Sequence, residues 1–564
     1  MKKRLIQRIS VILIASMLIL LCACTEPNVK RNLDTETPTY KVAMAIADIT
    51  PSMDVYLDGY EDHDEWSLAK YPDNFTTDLN ARILIIDNGE DRLVFVNLEM
   101  VCSGAGYEYS NLSEHTLNAI AEVCQTSSEN VLLSNTHNHQ ANKFLDQAEE
   151  AKILQAVRKA YARLAPATIG TTTVNSEFGM SRGGYYTVDK YAPYDSLMNI
   201  VRFDNAETGK PIGLVYSVPM HGTMFGSGPN SRVRHNLLNC EFTGYTSRAI
   251  EAAMAAENPF FTAIHINGFT GNATPYANGK YYAESLGEME SNGQAFAKEI
   301  LEGYQTIETK RMTGSIKTDY VLDELTFDIN NQELQAYQWK YGNEGVLPLR
   351  VKVGAFGEIG FVGVNAEPFS IIGARLKAES PYRILLLASS VDKGIGYIPT
   401  KEAVTMYEKG FPQAECMPAK SPFGADGEEA FYAKVLDAVC DLADVKLERV
   451  PLKSAGVKDV GVAAYMYTLE TPAALDKLVI SFGQESRKDC AQNFELKVFD
   501  AAGEVVYSQI LDGNSVNYLG VFLDGKEVSS AMLLVHSCYG NASNDRRGTM
   551  DLQPQLWGIQ FEDK

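Results

Sequence analysis

From residue 41 to about residue 447, short apolar runs alternate with amphipathic segments. Residues 82–87 and 92–98 are apolar runs joined by the turn Asn88-Gly89-Glu90-Asp91, which predicts a strand–turn–strand unit. Further runs at 131–133, 212–218, 260–264, 359–364 and 384–388 are of strand length and nearly free of polar residues, as buried strands are. Between them, residues 113–121, 144–165, 285–301 and 428–442 carry apolar side chains at helical spacing. Ile153, Ala156, Val157, Ala160 and Leu164 share one face of the second of these. The alternation predicts an α/β domain over residues 41–449. Beyond residue 450 the runs at 477–482, 494–500, 503–511 and 531–537 are short and separated by turn residues, which predicts a small β-sandwich over 450–564. It reads as a structural appendage, with carbohydrate binding as the alternative. No internal repeat interrupts this pattern.

Chemistry sits at the ends of the runs. Asn135-Thr136-His137-Asn138-His139-Gln140 follows the run at 131–133. Alternate residues of a strand point the same way, so an H-x-H at a strand end aims both imidazoles at one point. The chain has only eight histidines, and a pair so placed reads as a metal site or an acid/base site. His221 follows the run at 212–218, Glu367 the run at 359–364, and Tyr397 lies just past 384–388. The run at 260–264 leads through His265 into the loop 267–275. Strand ends are where α/β folds assemble active sites, so one site drawn from five of them is the simplest reading.

At 564 residues the chain is long enough for two or three domains. Its formal charge of −22 makes nucleic acid an unsuitable partner. Lys2-Lys3-Arg4 and the apolar stretch 9–21 form a targeting segment too short to span a bilayer, ending in Leu21-Cys22-Ala23-Cys24. This resembles a bacterial lipoprotein signal over residues 1–23, with Cys24 lipidated and residues 24–40 a tether. The expected location is the extracytoplasmic face of a cell membrane, held by lipid. The remaining cysteines lack the close spacing of a disulfide framework or a structural zinc module; Cys490 and Cys538 are candidates for a bridge or for buried thiols.

Taken in order, several segments resemble the neutral/alkaline ceramidase family over roughly residues 41–440. Ala47-Asp48-Ile49-Thr50-Pro51 with Leu57-Asp58-Gly59-Tyr60 is similar to a D-I-T-P…G-Y signature, and residues 135–140 to T-H-T-H-S. Val218-Pro219-Met220-His221 resembles an A-V-H element, and Glu241-Phe242-Thr243-Gly244-Tyr245 a D-[FY]-x-G-[YF] element. The loop 267–275 is similar to N-G-x-x-G-D-V-S-P, Ala366-Glu367-Pro368-Phe369 to P-G-E-[PF], and Gly396-Tyr397-Ile398-Pro399-Thr400 to G-Y-[VI]-x-T.

The resemblance implies a zinc amidase with His137, His221, Glu367 and Tyr397 as metal ligands. It implies that His139 moves the proton, that Arg182 and Tyr407 face substrate, and that Thr274 stands where the family has a catalytic serine. The implied substrate is ceramide or another N-acyl amphiphile. The chain departs from the family in a shorter C-terminal part and in two motifs. An H-S-G-P-G-G run becomes His139-Gln140-Ala141-Asn142-Lys143, and D-V-S becomes Asn272-Ala273-Thr274. Two rivals therefore stand beside it: a metal-dependent hydrolase of another amide or ester, such as a cell-wall or glycan-linked acyl group, and a non-catalytic lipoprotein that binds glycan or lipid. Of the other candidates, His265 reads as structural or as a support behind the site's ligands, His235 as loop or rim, Glu99 as a ligand-orienting or loop acid, Asp48 and Thr50 as turn formers, and Asn272 as a turn residue.

Overall fold

The computed structural model describes residues 39–57, 67–101, 112–182, 192–229, 234–392, 394–411, 414–483, 490–539 and 552–564. The signal segment, Cys24, most of the tether, Asp58 to Tyr60, His63 and Cys102 lie outside them. Alternating burial on both faces explains the first sheet. Its strands are β1 (Lys41–Asp48), β2 (Asn80–Asp87), β3 (Arg92–Leu98), β4 (Val131–Asn135), β5 (Ala165–Asn175), β6 (Leu197–Asn205), β7 (Pro211–Val218) and β8 (Thr262–Asn267). They lie in the order β8-β7-β6-β5-β1-β2-β3-β4, with the short strand Lys310–Arg311 added to β5. A second sheet runs β9 (Ile316–Thr326), β10 (Val346–Phe356), β11 (Ile359–Val364), β12 (Ile384–Ala388) in sequence order.

The two sheets share one core. Leu84, Ile86, Phe95, Val201 and Ile264 of the first pack with Phe356, Phe361 and Leu386 of the second. Residues one step along the strands face the other way. Ile83, Ile85, Val94 and Val96 meet Ile120 of helix α1 (Glu114–Cys124) and Ile153 and Val157 of α2 (Gln147–Tyr161). Leu214 and Tyr216 meet Phe242 and Ile250 of α3 (Glu241–Met254) and Phe296 and Ile300 of α4 (Leu286–Gln305). On the second sheet Val351, Val353, Val362 and Leu387 meet Ile371 and Ile372 of α5 (Ser370–Glu379) and Phe431 and Val435 of a later helix. The helices α6 (Lys401–Glu408) and α7 (Gly427–Leu442) complete this side. The architecture is thus helix, sheet, sheet, helix.

This refines the α/β expectation. The fold is mixed and sheet-rich, and most pairs are antiparallel. Within these two sheets the described parallel pairs are β3 with β4, β7 with β8, and β11 with β12. The chain beyond the C-terminal ends of these pairs carries His137, His139, His221, Glu367 and Tyr397.

The predicted C-terminal strands fall within one seven-stranded antiparallel sheet. Its members are β13 (Val445–Pro451), β14 (Lys453–Asp459), β15 (Ala463–Ser481), β16 (Ala491–Phe499), β17 (Val505–Leu511), β18 (Tyr518–Cys538) and β19 (Gln555–Asp563). β15 and β18 pair along most of their length but shift register between Thr468 and Ala473 and again between Leu475 and Lys477, irregularities that bend a sheet. The sheet has its own core around Leu478, Ile480, Phe494, Leu496, Leu523 and Val535. It also docks on α5: a Cβ at Gly520 would lie 2.3 Å from the Ala378 carbonyl oxygen. The Lys477 amine donates to the Ser380 carbonyl at 2.8 Å, past the end of α5, and burial pushes its pKa down to about 7.

Candidate metal centre

β4 stops at Asn135, and the chain then runs beside the end of β3, with Thr136 N donating to Leu98 O and Asn138 N to Met100 O. His137 takes a left-handed φ of 54°, unusual for a residue with a Cβ. The Asn135 side chain supports it by accepting the His137 N–H at 2.9 Å. His137 and His139 therefore converge through a turn rather than through strand alternation, which corrects the physical reason given by the sequence pattern. Their ring centroids are 5.0 Å apart.

The second histidine loop packs directly on the first. Asn138 forms a parallel bridge with Gly222, and His139 N donates to Gly222 O at 3.1 Å. A Cβ at residue 222 would sit 2.6 Å from the His137 carbonyl oxygen, so only glycine lets the loops approach this closely. His221, just past β7, has Nδ1 2.9 Å from the Ala273 carbonyl. A carbonyl only accepts, so Nδ1 carries the hydrogen and Nε2 keeps its lone pair.

The carboxylate and phenol come from the second sheet. Past the ends of β11 and β12 the chains pair again in parallel, Glu367 with Tyr397 and Pro368 with Ile398. A Cβ at Gly271 would lie 2.4 Å from the Glu367 carbonyl oxygen, so the 267–275 loop also seats on a glycine. Glu367 Oε2 lies 3.2 Å from His221 Nε2 and 3.5 Å from His137 Nε2. The Tyr397 hydroxyl is 3.4 Å from His221 Nε2. Ligand nitrogens of His137, His139 and His221 lie within 4.8 Å of one another.

Electrostatics follow from burial and crowding. Burial drives the His137 imidazole down to about 3, partly opposed by Glu367 and reinforced by His221 and Arg182. Burial and the neighbouring imidazoles hold His139 well below the usual histidine range. Burial works to raise the Glu367 carboxyl, but His137, His221 and Tyr397 outweigh it and hold it below the carboxylate range. Burial, then Glu367, pushes the Tyr397 phenol well up. Neutral imidazoles around an ionised carboxylate form the protonation state that a divalent cation requires.

The other predicted residues divide. Arg182 is in the centre: its Nη2 lies 3.4 and 3.5 Å from the two ring nitrogens of His221, donates to Gly271 O at 2.9 Å, and pairs with Glu415 at 3.0 Å. Burial opposes its charge, and Glu415 and Tyr397 more than restore it. Thr274 is buried on the short strand Ala273–Pro275, which pairs with Gly179–Ser181; the neighbouring residue, not Thr274, touches His221. Tyr407, on α6, packs against the core of the second sheet, and burial, then Glu333, Tyr337 and Cys416, raises its pKa. Sequence reasoning missed Glu415, because 233 residues separate it from Arg182 and nothing in its local pattern marks it.

The lesser readings also resolve. Asp48 and Thr50 form the expected turn, the Asp48 carboxylate accepting from Thr50 N at 2.9 Å. Glu99 orients no histidine ring; it is fully buried and paired with Arg82 and with Arg248. Asn272 is no left-handed turn residue but a link, donating to Ser181 Oγ at 2.9 Å and accepting from Ser370 N at 2.8 Å. His265 is fully buried with neither ring nitrogen hydrogen-bonded, and burial drives its pKa to about 3. It lies in β8 against the Tyr216 ring. Half-buried His235 has Nε2 3.1 Å from Gly226 O. Cys124, Cys240, Cys416 and Cys440 are buried free thiols, and Cys490 and Cys538 are also buried.

Whether these residues fit a metal is answered by their donor atoms. Glu367 Oε2 and His137 Nδ1 are buried without a hydrogen-bond partner, and buried polar atoms left so are costly unless something else satisfies them. A carboxylate oxygen between two imidazole Nε2 atoms suits a cation, and three imidazoles with one carboxylate are a donor set that zinc accepts. The residues fit.

The fold and this centre define a two-sheet scaffold with a buried His/Glu group able to hold a metal at its parallel strand ends. The same fold occurs in a neutral ceramidase from Pseudomonas aeruginosa, with a TM-score of 0.56 and 16% identity over 89% of this chain and 94% of that one. A ceramidase complexed with C2 matches with a TM-score of 0.54 and 14% identity, over 88% and 94% of the two chains. At these identities the likeness is one of fold. No family model matches the chain, and no curated protein sequence matches it.

Proposed function

We propose that this chain is a divergent member of the neutral ceramidase family: a zinc-dependent hydrolase that cleaves the amide of ceramide or a related N-acyl amphiphile into fatty acid and amine. The observation that carries the reading is the convergence of His137, His139, His221 and Glu367 from separate strand ends, on a fold shared with a ceramidase. His137, His221 and Glu367 would hold the zinc, with Tyr397 as fourth ligand. Zinc held there supplies Lewis acidity toward water and toward a carbonyl.

The chain's own residues do the rest. His139 would take the proton of the attacking water at a ring nitrogen and deliver it to the departing amine. Arg182, fixed by Glu415 and Gly271 O, presents a cation beside the reacting carbonyl, where negative charge develops. Tyr407 contacts substrate farther out, and the Thr274 hydroxyl hydrogen-bonds the substrate head. The reading extends to location and partners. Cys24 carries lipid, the protein is held on the extracytoplasmic face of the membrane, and its substrate is drawn from that surface. The C-terminal sheet is read as a sandwich that braces the catalytic part.

One observation favours a second ligand set. His139 lies within the same 4.8 Å group as His137 and His221, so three histidines could hold the metal and leave Glu367 as the base. Zinc titration of His139→Gln separates the two: retained zinc with lost turnover supports His139 as the proton carrier, and lost zinc supports it as a ligand. Turnover is tested on fluorescent ceramide against short acyl amides and esters. Cleavage of ceramide alone supports the lipid reading, cleavage of only the others moves the substrate, and zinc binding with no cleavage of any supports a binding protein.

A further inference from the structure

Asn239-Cys240 leads into Glu241, the first residue of the motif that resembles D-[FY]-x-G-[YF], and the contacts of these residues lie with the loops around the metal centre. We propose that this segment is a positioning clamp which fixes the two histidine-bearing loops to the start of α3 and so sets the geometry of the centre.

The contacts divide between the two loops. Toward the first, Asn239 N donates to Gln140 O at 3.0 Å, and the Asn138 amide donates to Asn239 O at 2.8 Å. Asn138 and Gln140 flank His139, and both are fully buried. Toward the second, the Glu241 carboxylate accepts from Phe225 N at 2.6 Å and Met224 N at 3.1 Å, in the loop that leaves His221. It also accepts from Phe242 N at 3.0 Å, at the helix N-terminus, where the dipole favours an anion.

Two further features show a built arrangement. Glu241 holds a left-handed φ of 52°, a strained conformation for a residue with a Cβ, and its N–H is secured by Asn239 Oδ1 at 2.9 Å. Gly244, one turn into α3, has no room for a side chain because a Cβ would lie 2.4 Å from Cys240 Cβ. Burial pushes the Glu241 carboxyl up to about 7 even though backbone donors oppose the rise. Both of its carboxylate oxygens are taken up by backbone donors, which makes it a structural tie.

Amide hydrogen exchange on metal-free protein tests the clamp, with zinc affinity by chelator competition as a second readout. The variants are Glu241→Gln, which keeps the shape but replaces one acceptor oxygen by a donor, and Glu241→Ala. Tyr216→Phe is the control: it removes a hydroxyl bonded to Ser247 on α3 without touching either loop. The expected result is faster exchange in both 137–140 and 221–226 for the Glu241 variants, with zinc binding at least ~10-fold weaker. Tyr216→Phe should melt lower yet keep wild-type exchange in those loops. Unchanged exchange in 137–140 would overturn the clamp, as would equal loosening in the control. The exchange result stands whether or not wild type takes up zinc. A chain that binds no zinc thus counts against the function proposed above and leaves the clamp to be decided separately.

Discussion

The strand ends of the two-sheet region and the join of the C-terminal sheet both bury polar groups, with opposite outcomes. At the strand ends, Glu367 Oε2 and His137 Nδ1 are left without hydrogen-bond partners. At the join, the Lys477 amine reaches the Ser380 carbonyl and Ser515 Oγ reaches Ser196 Oγ at 2.7 Å. Open atoms gather around the histidines at the strand ends, whereas these two contacts at the join are satisfied. The join also bears on the site, because α5 begins three residues after Glu367.

The sharpest way to break this contrast is to remove the open carboxylate. Glu367→Ala should abolish zinc binding and lower turnover by roughly 10³-fold or more, while the metal-free melting temperature barely moves. Retained zinc would show that Glu367 is not a ligand. His139→Gln should cost about 10²–10⁴ in kcat with zinc retained, measured by steady-state kinetics beside metal analysis.

On the other side of the contrast, Gly520→Ala forces a Cβ against the backbone of α5. It should destabilise by roughly 1–3 kcal/mol in denaturant unfolding. If the C-terminal sheet braces the catalytic part, zinc affinity falls with it; unchanged affinity would make the sheet a bystander.

The smallest effect is a slope with pH. The His265 pKa is depressed to about 3 in the folded chain, so between that value and its ordinary 6.5 the unfolded state binds more protons. Stability should therefore fall as pH drops below about 6.5, by at most about 1.4 kcal/mol per pH unit from this residue. His265→Phe should flatten that slope in urea unfolding at pH 5 to 7.

Much of the scaffold is legible in the sequence where strands are buried on both faces. The runs at 82–87, 92–98, 359–364 and 384–388 reappear as β2, β3, β11 and β12 almost residue for residue. β5 and β9 escape such reading because they are half exposed, and Ile316–Thr326 interleaves Lys317, Asp319, Asp323 and Glu324 with its apolar residues. α5 escapes for the opposite reason: it is buried nearly all round and has no polar face to give it period. His137, His221, Glu367 and Tyr397 were found by their places after apolar runs, but their convergence depends on Gly222, Gly271 and the turn at His137, which are tertiary facts. Tyr407 and Thr274 rest on the resemblance alone, and the structure gives neither a contact with the histidines.

The decisive experiment is elemental analysis of purified protein, wild type beside His137→Ala and Glu367→Ala, after equilibration with zinc. Near one zinc per chain in wild type and almost none in either variant is the expected result. A wild type that stays empty, or variants that keep their zinc, would contradict a metal centre built from these strand ends.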